Sequence, residues 1–187
     1  MSPFPIYPGN NAVHGAVVPI ATYLSPGPLF YPNFVNIPQT YQDLRVVIYA
    51  RTANALTTDA LGLNFNSDYG TNYSETYLQG NGSSLTSARD TSSTRFYSIN
   101  IPGAIAPSGV FGSITIDILN YANTSTYKTI IAKWANDQNG SGTTGLMTGL
   151  WRSTAAINEI DNNIVNSNGQ WVAGSRISLY GVRSVGQ

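Results

Sequence analysis

At 187 residues the chain has the length of one well-buried domain and is short for two. Only 10% of its residues are charged, nine Lys and Arg balance nine Asp and Glu, and Lys128 and Lys133 are the only lysines, which excludes the clustered cations that a nucleic-acid partner requires. The absence of cysteine excludes disulfides, thiolate nucleophiles and cysteine-metal sites, so stability must come from packing and assembly.

The first 36 residues read as an extended arm. Eight of the ten prolines (Pro3, Pro5, Pro8, Pro19, Pro26, Pro28, Pro32 and Pro38) precede residue 39. Proline fixes φ and removes a backbone donor, which bars the segment from helix and from interior strands. The arm is nonetheless apolar, with Phe4, Ile6, Tyr7, Tyr23, Leu29, Phe30 and Tyr31 spread along it as candidate anchors for a partner. Apolar surface gains roughly 25 cal/mol per Å² on burial, so the arm is expected to lie against its own domain or a neighbouring subunit. No apolar run approaches the ~20 residues of a bilayer span, and no secretory signal is visible at the N-terminus; the expectation is no membrane partner and synthesis in a cytoplasm.

Residues 37–187 read as a β-sandwich domain. Eight strand-length runs lie between turn residues, at 43–51, 61–66, 94–101, 109–119, 127–134, 145–152, 156–164 and 175–182. In Ile114-Thr115-Ile116-Asp117-Ile118 the strict alternation predicts one dry face and one wet face. The nearest helix candidate is a single turn at 73–78, and 155–164 also admits a helical reading. Eight antiparallel strands with irregular connections predict an all-β, jelly-roll-like two-sheet sandwich, with an immunoglobulin-like sandwich as the second choice.

Chemistry is sparsely supplied. Gly140-Ser141-Gly142-Thr143-Thr144-Gly145 matches a dinucleotide fingerprint, but strand-like residues follow where a helix must open, so a hairpin loop is expected. Asp137-Gln138-Asn139-Gly140-Ser141 resembles the start of a calcium loop, yet the twelfth position is Thr148 instead of a glutamate. Asn66, Asp68 and Asn72 can gather round a cation, or form an ordinary Asx-stabilised turn. His14, the only histidine, lies in the arm, where it is badly placed for a catalytic triad. Glycoside hydrolysis needs paired carboxyls; Asp117, Glu159 and Asp161 alternate with isoleucines and read as exposed-face residues. No catalytic residue, metal site or cofactor is therefore expected. Trp134, Trp151, Trp171 and the twelve tyrosines could stack on sugars, but core packing and subunit contacts are their commoner duties.

Several stretches together carry a resemblance. Ile37-Pro38-Gln39-Thr40-Tyr41-Gln42-Asp43-Leu44-Arg45, Leu63-Asn64-Phe65-Asn66 followed by Asn72-Tyr73-Ser74, Trp151-Arg152-Ser153-Thr154-Ala155-Ala156-Ile157, and Gly174 to Val182 resemble a recurring small β-sandwich virion protein of tailed bacteriophages. The resemblance spans roughly residues 37 to 183, and its motifs are structural. It implies a non-enzymatic protein of the virion, either a capsid decoration (cement) protein or a fibre or tail component. The arm favours the first: a homotrimer on the capsid surface bridging neighbouring major capsid subunits, its arm spanning on the order of 100 Å if fully extended. The alternative is a head-fibre or tail-fibre module that reads host surface glycan, and a small β-sandwich hydrolase comes third.

Overall fold

The computed structural model describes residues 17–27, 32–164 and 170–183. Six of the expected anchors, Phe4, Ile6, Tyr7, Leu29, Phe30 and Tyr31, lie outside the described residues, as does His14. The strands are β1 (Val17–Leu24), β2 (Asn33–Phe34), β3 (Asp43–Ala50), β4 (Thr58–Phe65), β5 (Tyr73–Gly80), β6 (Leu85–Ser93), β7 (Phe96–Pro102), β8 (Gly112–Leu119), β9 (Lys128–Asp137), β10 (Gly142–Trp151), β11 (Ile160–Ile164) and β12 (Arg176–Val182). Among the described residues there is no helix, hence none long and apolar enough to cross a membrane.

These strands make two antiparallel sheets, ordered β1-β12-β3-β8-β9-β10-β5-β6 and β2-β11-β4-β7. The layout is that of a jelly roll. The four strands β1-β12-β3-β8 face β2-β11-β4-β7, and the chain crosses between the sheets at each step of this plan except from β4 to β7, which pair within the small sheet. Two hairpins, β5–β6 and β9–β10, are inserted into this plan and widen the first sheet to eight strands.

The apolar alternation explains the packing. Ile114, Ile116 and Ile118 on β8 point inward beside Leu44, Val46 and Ile48 on β3 and Ile130, Ala132 and Trp134 on β9. From the small sheet come Leu61, Leu63 and Phe65 on β4 and Phe96, Ile99 and Ile101 on β7. An aromatic cluster pins the sheets together: Tyr73 meets Phe96 edge-on at 5.0 Å, and Phe65 meets Trp151 edge-on at 5.5 Å.

Three sequence expectations are corrected. Residues 73–78 are not a helical turn but part of β5, since a lone turn is costly to nucleate and pairing with β10 on one side and β6 on the other gives the backbone partners on both edges. The stretch 155–164 is not helical either: it runs irregularly to residue 159 and then forms β11 against β4. Asp161, read as an exposed-face residue, is buried.

Within the segment 1–36, Val17–Leu24 and Asn33–Phe34 are strands of the sandwich itself. β1 occupies the edge of the large sheet, bonded to β12 alone, the position where a proline such as Pro19 is tolerated. Tyr23 points inward from β1 and its ring lies 5.2 Å from that of Phe34, so its own domain accounts for this aromatic.

Side chains also clasp the loops. Arg51 donates to four carbonyls, those of Ala104, Ala106, Pro107 and Val110, and so holds the β7–β8 connection against the end of β3. Lys128 is fully buried, its ammonium donating to the carbonyls of Thr126 and Thr154 at 2.8 and 3.2 Å; burial lowers its pKa.

Candidate assembly surface

The outer face of the large sheet carries no covering layer among the described residues. Strand register sets its side chains in rows. One row runs Val47, Thr115, Lys133, Leu146, Leu78 and Ser87, and the next runs Arg45, Asp117, Ile131, Thr148, Thr76 and Arg89. Leu78, Leu146 and Ile131 are 52%, 41% and 39% exposed; Leu78 and Leu146 stand directly opposite each other and Ile131 lies diagonal to Leu146. They line a shallow groove of about 270 Å³ together with Thr76, Ser87 and Thr148. Asp117, weighed in sequence as a catalytic carboxyl, is neutralised here by Arg45 through a two-pronged contact at 2.6 and 3.1 Å. The face is thus broad and rich in hydroxyls and aliphatic groups, with Lys133 and Arg89 as the cations of these rows beyond the Arg45–Asp117 pair.

The sheet edges differ in how they are guarded. β1 carries Pro19 and a register shift between Pro19 and Ala21, β2 is two residues long, and β7 ends at Pro102. β6 has no proline and is exposed along most of its nine residues, which leaves its outer backbone groups open.

At one end of the large sheet the tips of the two inserted hairpins enclose a cleft of about 500 Å³ lined by Asn81, Ser83, Asp137, Ser141, Thr143 and several glycines. The fingerprint glycines are turn and packing residues. Gly140 and Gly142 have φ of +117° and +101°, and a methyl on Gly145 would overlap the Trp134 ring lying across it. The calcium-loop likeness is likewise a turn: the Asp137 carboxylate accepts from the amide of Asn139, and Thr148 lies within β10 opposite Ile131. No aromatic side chain lines the cleft, and Trp134, Trp151 and Trp171 are all buried, so none offers a stacking platform for sugar.

The loop at 66–72 resolves the choice at Asn66, Asp68 and Asn72. The Asp68 carboxylate accepts from Gly70 N at 2.8 Å, Asn72 Nδ2 at 2.9 Å and Trp151 Nε1 at 2.7 Å. Burial pushes its pKa up, but these donors outweigh that and hold it below the ordinary carboxylate range. Its acceptor capacity is spent on the turn.

One acidic group has no place in the sequence analysis, and a second, Asp161, is covered where exposure is expected. Glu75, only 3% exposed, reaches from β5 towards β7, where its oxygens accept from the Tyr97 amide at 3.1 Å and from the Ser98 hydroxyl. Asp161 lies beside Glu159 under Tyr69 on the outer face of the small sheet. The polar position in an inward-facing register was the available signal for Glu75; nothing in the local pattern marks Asp161 as covered. Among the described residues no three His, Cys, Asp or Glu side chains gather at one point.

No protein-family model matches the chain, and no curated protein matches it. The molecule is therefore defined by its fold, a jelly-roll β-sandwich with one sheet enlarged to eight strands.

Proposed function

We propose that this chain is a structural protein of a bacteriophage virion, a capsid decoration protein that bridges neighbouring major capsid subunits as a homotrimer. The observation that carries the reading is the position of β1, whose first residue, Val17, follows the segment 1–16 and lies on the edge strand of the large sheet, at the margin of its open face. An apolar arm with Phe4, Ile6 and Tyr7 adds binding surface that no single flat face provides, and repeated weak contacts sum to avidity on a shell. Threefold closure follows the general preference of homo-oligomers for point-group symmetry.

The test is attachment to particles stripped of this protein. A chain lacking residues 2–16 is expected to fold and to leave the particles bare, while the intact chain binds in hundreds of copies. Equal binding by the truncated chain, or a handful of copies confined to the tail, overturns the proposal.

The second reading, a fibre module that recognises host glycan, is favoured by one feature: the hairpin-tip cleft presents amide, hydroxyl and carboxylate groups suited to sugar hydroxyls. It predicts a glycan-array signal that is lost on Asn81→Ala or Asp137→Ala.

A further inference from the structure

We propose that Glu159 and Asp161 form a binding site for a hard divalent cation, on the outer face of the small sheet where β2 joins β11. Asp161 is 1% exposed, and its Oδ1 is buried and accepts no hydrogen bond among the described residues. Its other oxygen, Oδ2, accepts from the Tyr69 phenol at 3.3 Å, and Glu159 Oε2 accepts from the Ser67 hydroxyl at 3.0 Å. No Lys or Arg side chain among the described residues donates to either carboxylate. Asn33 and Asn64 flank Asp161 in register on β2 and β4.

Burying a carboxylate is expensive unless an opposite charge or several donors compensate it. Here two lie side by side: burial, then the charge of Glu159, raises the pKa of Asp161. Two hydroxyl donors cannot neutralise two negative charges. A divalent cation does so at neutral pH, and an all-oxygen setting of carboxylates, hydroxyls and amides is the chemistry that calcium-sized ions take, with water completing their six to eight ligands. The loop at 66–72, itself tied to Trp151 through Asp68, keeps Ser67 and Tyr69 above the pair. A cation here would also fasten β2, which meets β11 at Asp161 and is preceded by Pro32, whose carbonyl accepts from Asn162 Nδ2.

The experiment uses the full chain, freed of metal with chelator and titrated with calcium chloride at pH 7.5 by calorimetry and thermal melting. Expected are saturable binding and a melting temperature raised by about 5 °C at a hundredfold excess over the dissociation constant. Asp161→Asn abolishes both responses, and Glu159→Gln, at a more accessible position, weakens binding about tenfold or more. Terbium in place of calcium should give emission excited through Tyr69, lost in Asp161→Asn. The proposal is overturned if the intact chain shows no saturable calcium response, or if both variants respond as it does. A melting temperature that rises on acidification and ignores calcium would assign the pair a shared proton and overturn it equally.

Discussion

Trp151 donates its indole N–H to the Asp68 carboxylate at 2.7 Å, joining residues 83 positions apart in the chain. The same indole packs edge-on against Phe65 inside the sandwich. One side chain thus fastens a surface loop to the core. Asp68→Ala strips the acceptor from the Gly70 amide, the Asn72 amide and the indole together, and is expected to destabilise the protein by about 3 kcal/mol. Asp68→Asn keeps one acceptor oxygen and should lose about half as much. Urea denaturation with hydrogen exchange at residues 66–72 measures both; an alanine variant as stable as the parent would refute the role.

Glu75 makes stability depend on pH. Burial pushes its pKa from 4.5 up to about 7, partly opposed by the Ser98 hydroxyl and aided by the charge of Asp90. The folded state therefore holds a proton that the unfolded chain releases at lower pH. Its contribution is complete below pH 4.5 and is lost as pH rises to about 7, a fall on the order of 3 kcal/mol. Glu75→Gln should flatten that slope. The measurement is the difference in unfolding free energy between parent and variant at pH 5 and pH 8; equal differences at the two pH values reject it.

Gly145 has no room for a side chain. Its cross-strand neighbour Trp134 lies over it, and Trp134 Nε1 donates to Thr143 at 3.2 Å, which fixes the ring in place. Gly145→Ala should cost about 2 kcal/mol through overpacking and shift the Trp134 fluorescence. Gly82→Ala is the comparison for a turn glycine with open space round it, where only the φ of +86° is strained.

Truncations separate the arm from the sandwich. Removing residues 2–16 leaves every described strand in place, and the melting temperature should stay within about 2 °C of the parent. Removing residues 2–36 deletes β1 and β2, uncovers β12 along its length and takes Phe34 from the core. That chain should be insoluble or unfold without cooperativity. Circular dichroism melts of the two truncations decide the matter.

Alternation was enough to find the strands with one buried face. β3, β8, β9 and β12 are legible because apolar residues recur at every second position, as in Leu44, Val46 and Ile48, Ile114, Ile116 and Ile118, Ile130, Ala132 and Trp134, and Ile177 and Leu179. β6 was invisible since Leu85–Ser93 is an exposed edge with no dry face to leave a pattern. β5 was obscured because Glu75 stands at an inward position. Pro19 disguised β1, as a proline excludes only interior strands and an edge needs no donor on its open side. Alternation also placed Asp161 on the right face but carried no word of the loop at 66–72 that covers it, which is a tertiary event. The open face of the large sheet follows from the wet half of each strand; the cleft between hairpin tips depends on pairing across distant segments.

The pairing of Val17 with Val182 brings the first and last described strands out at the same corner, side by side. A tether running on from Val17 in line with β1 would load the β1–β12 ladder in shear, so its hydrogen bonds must fail together and not one after another. Such a junction resists being tugged along the strand far better than being peeled from it.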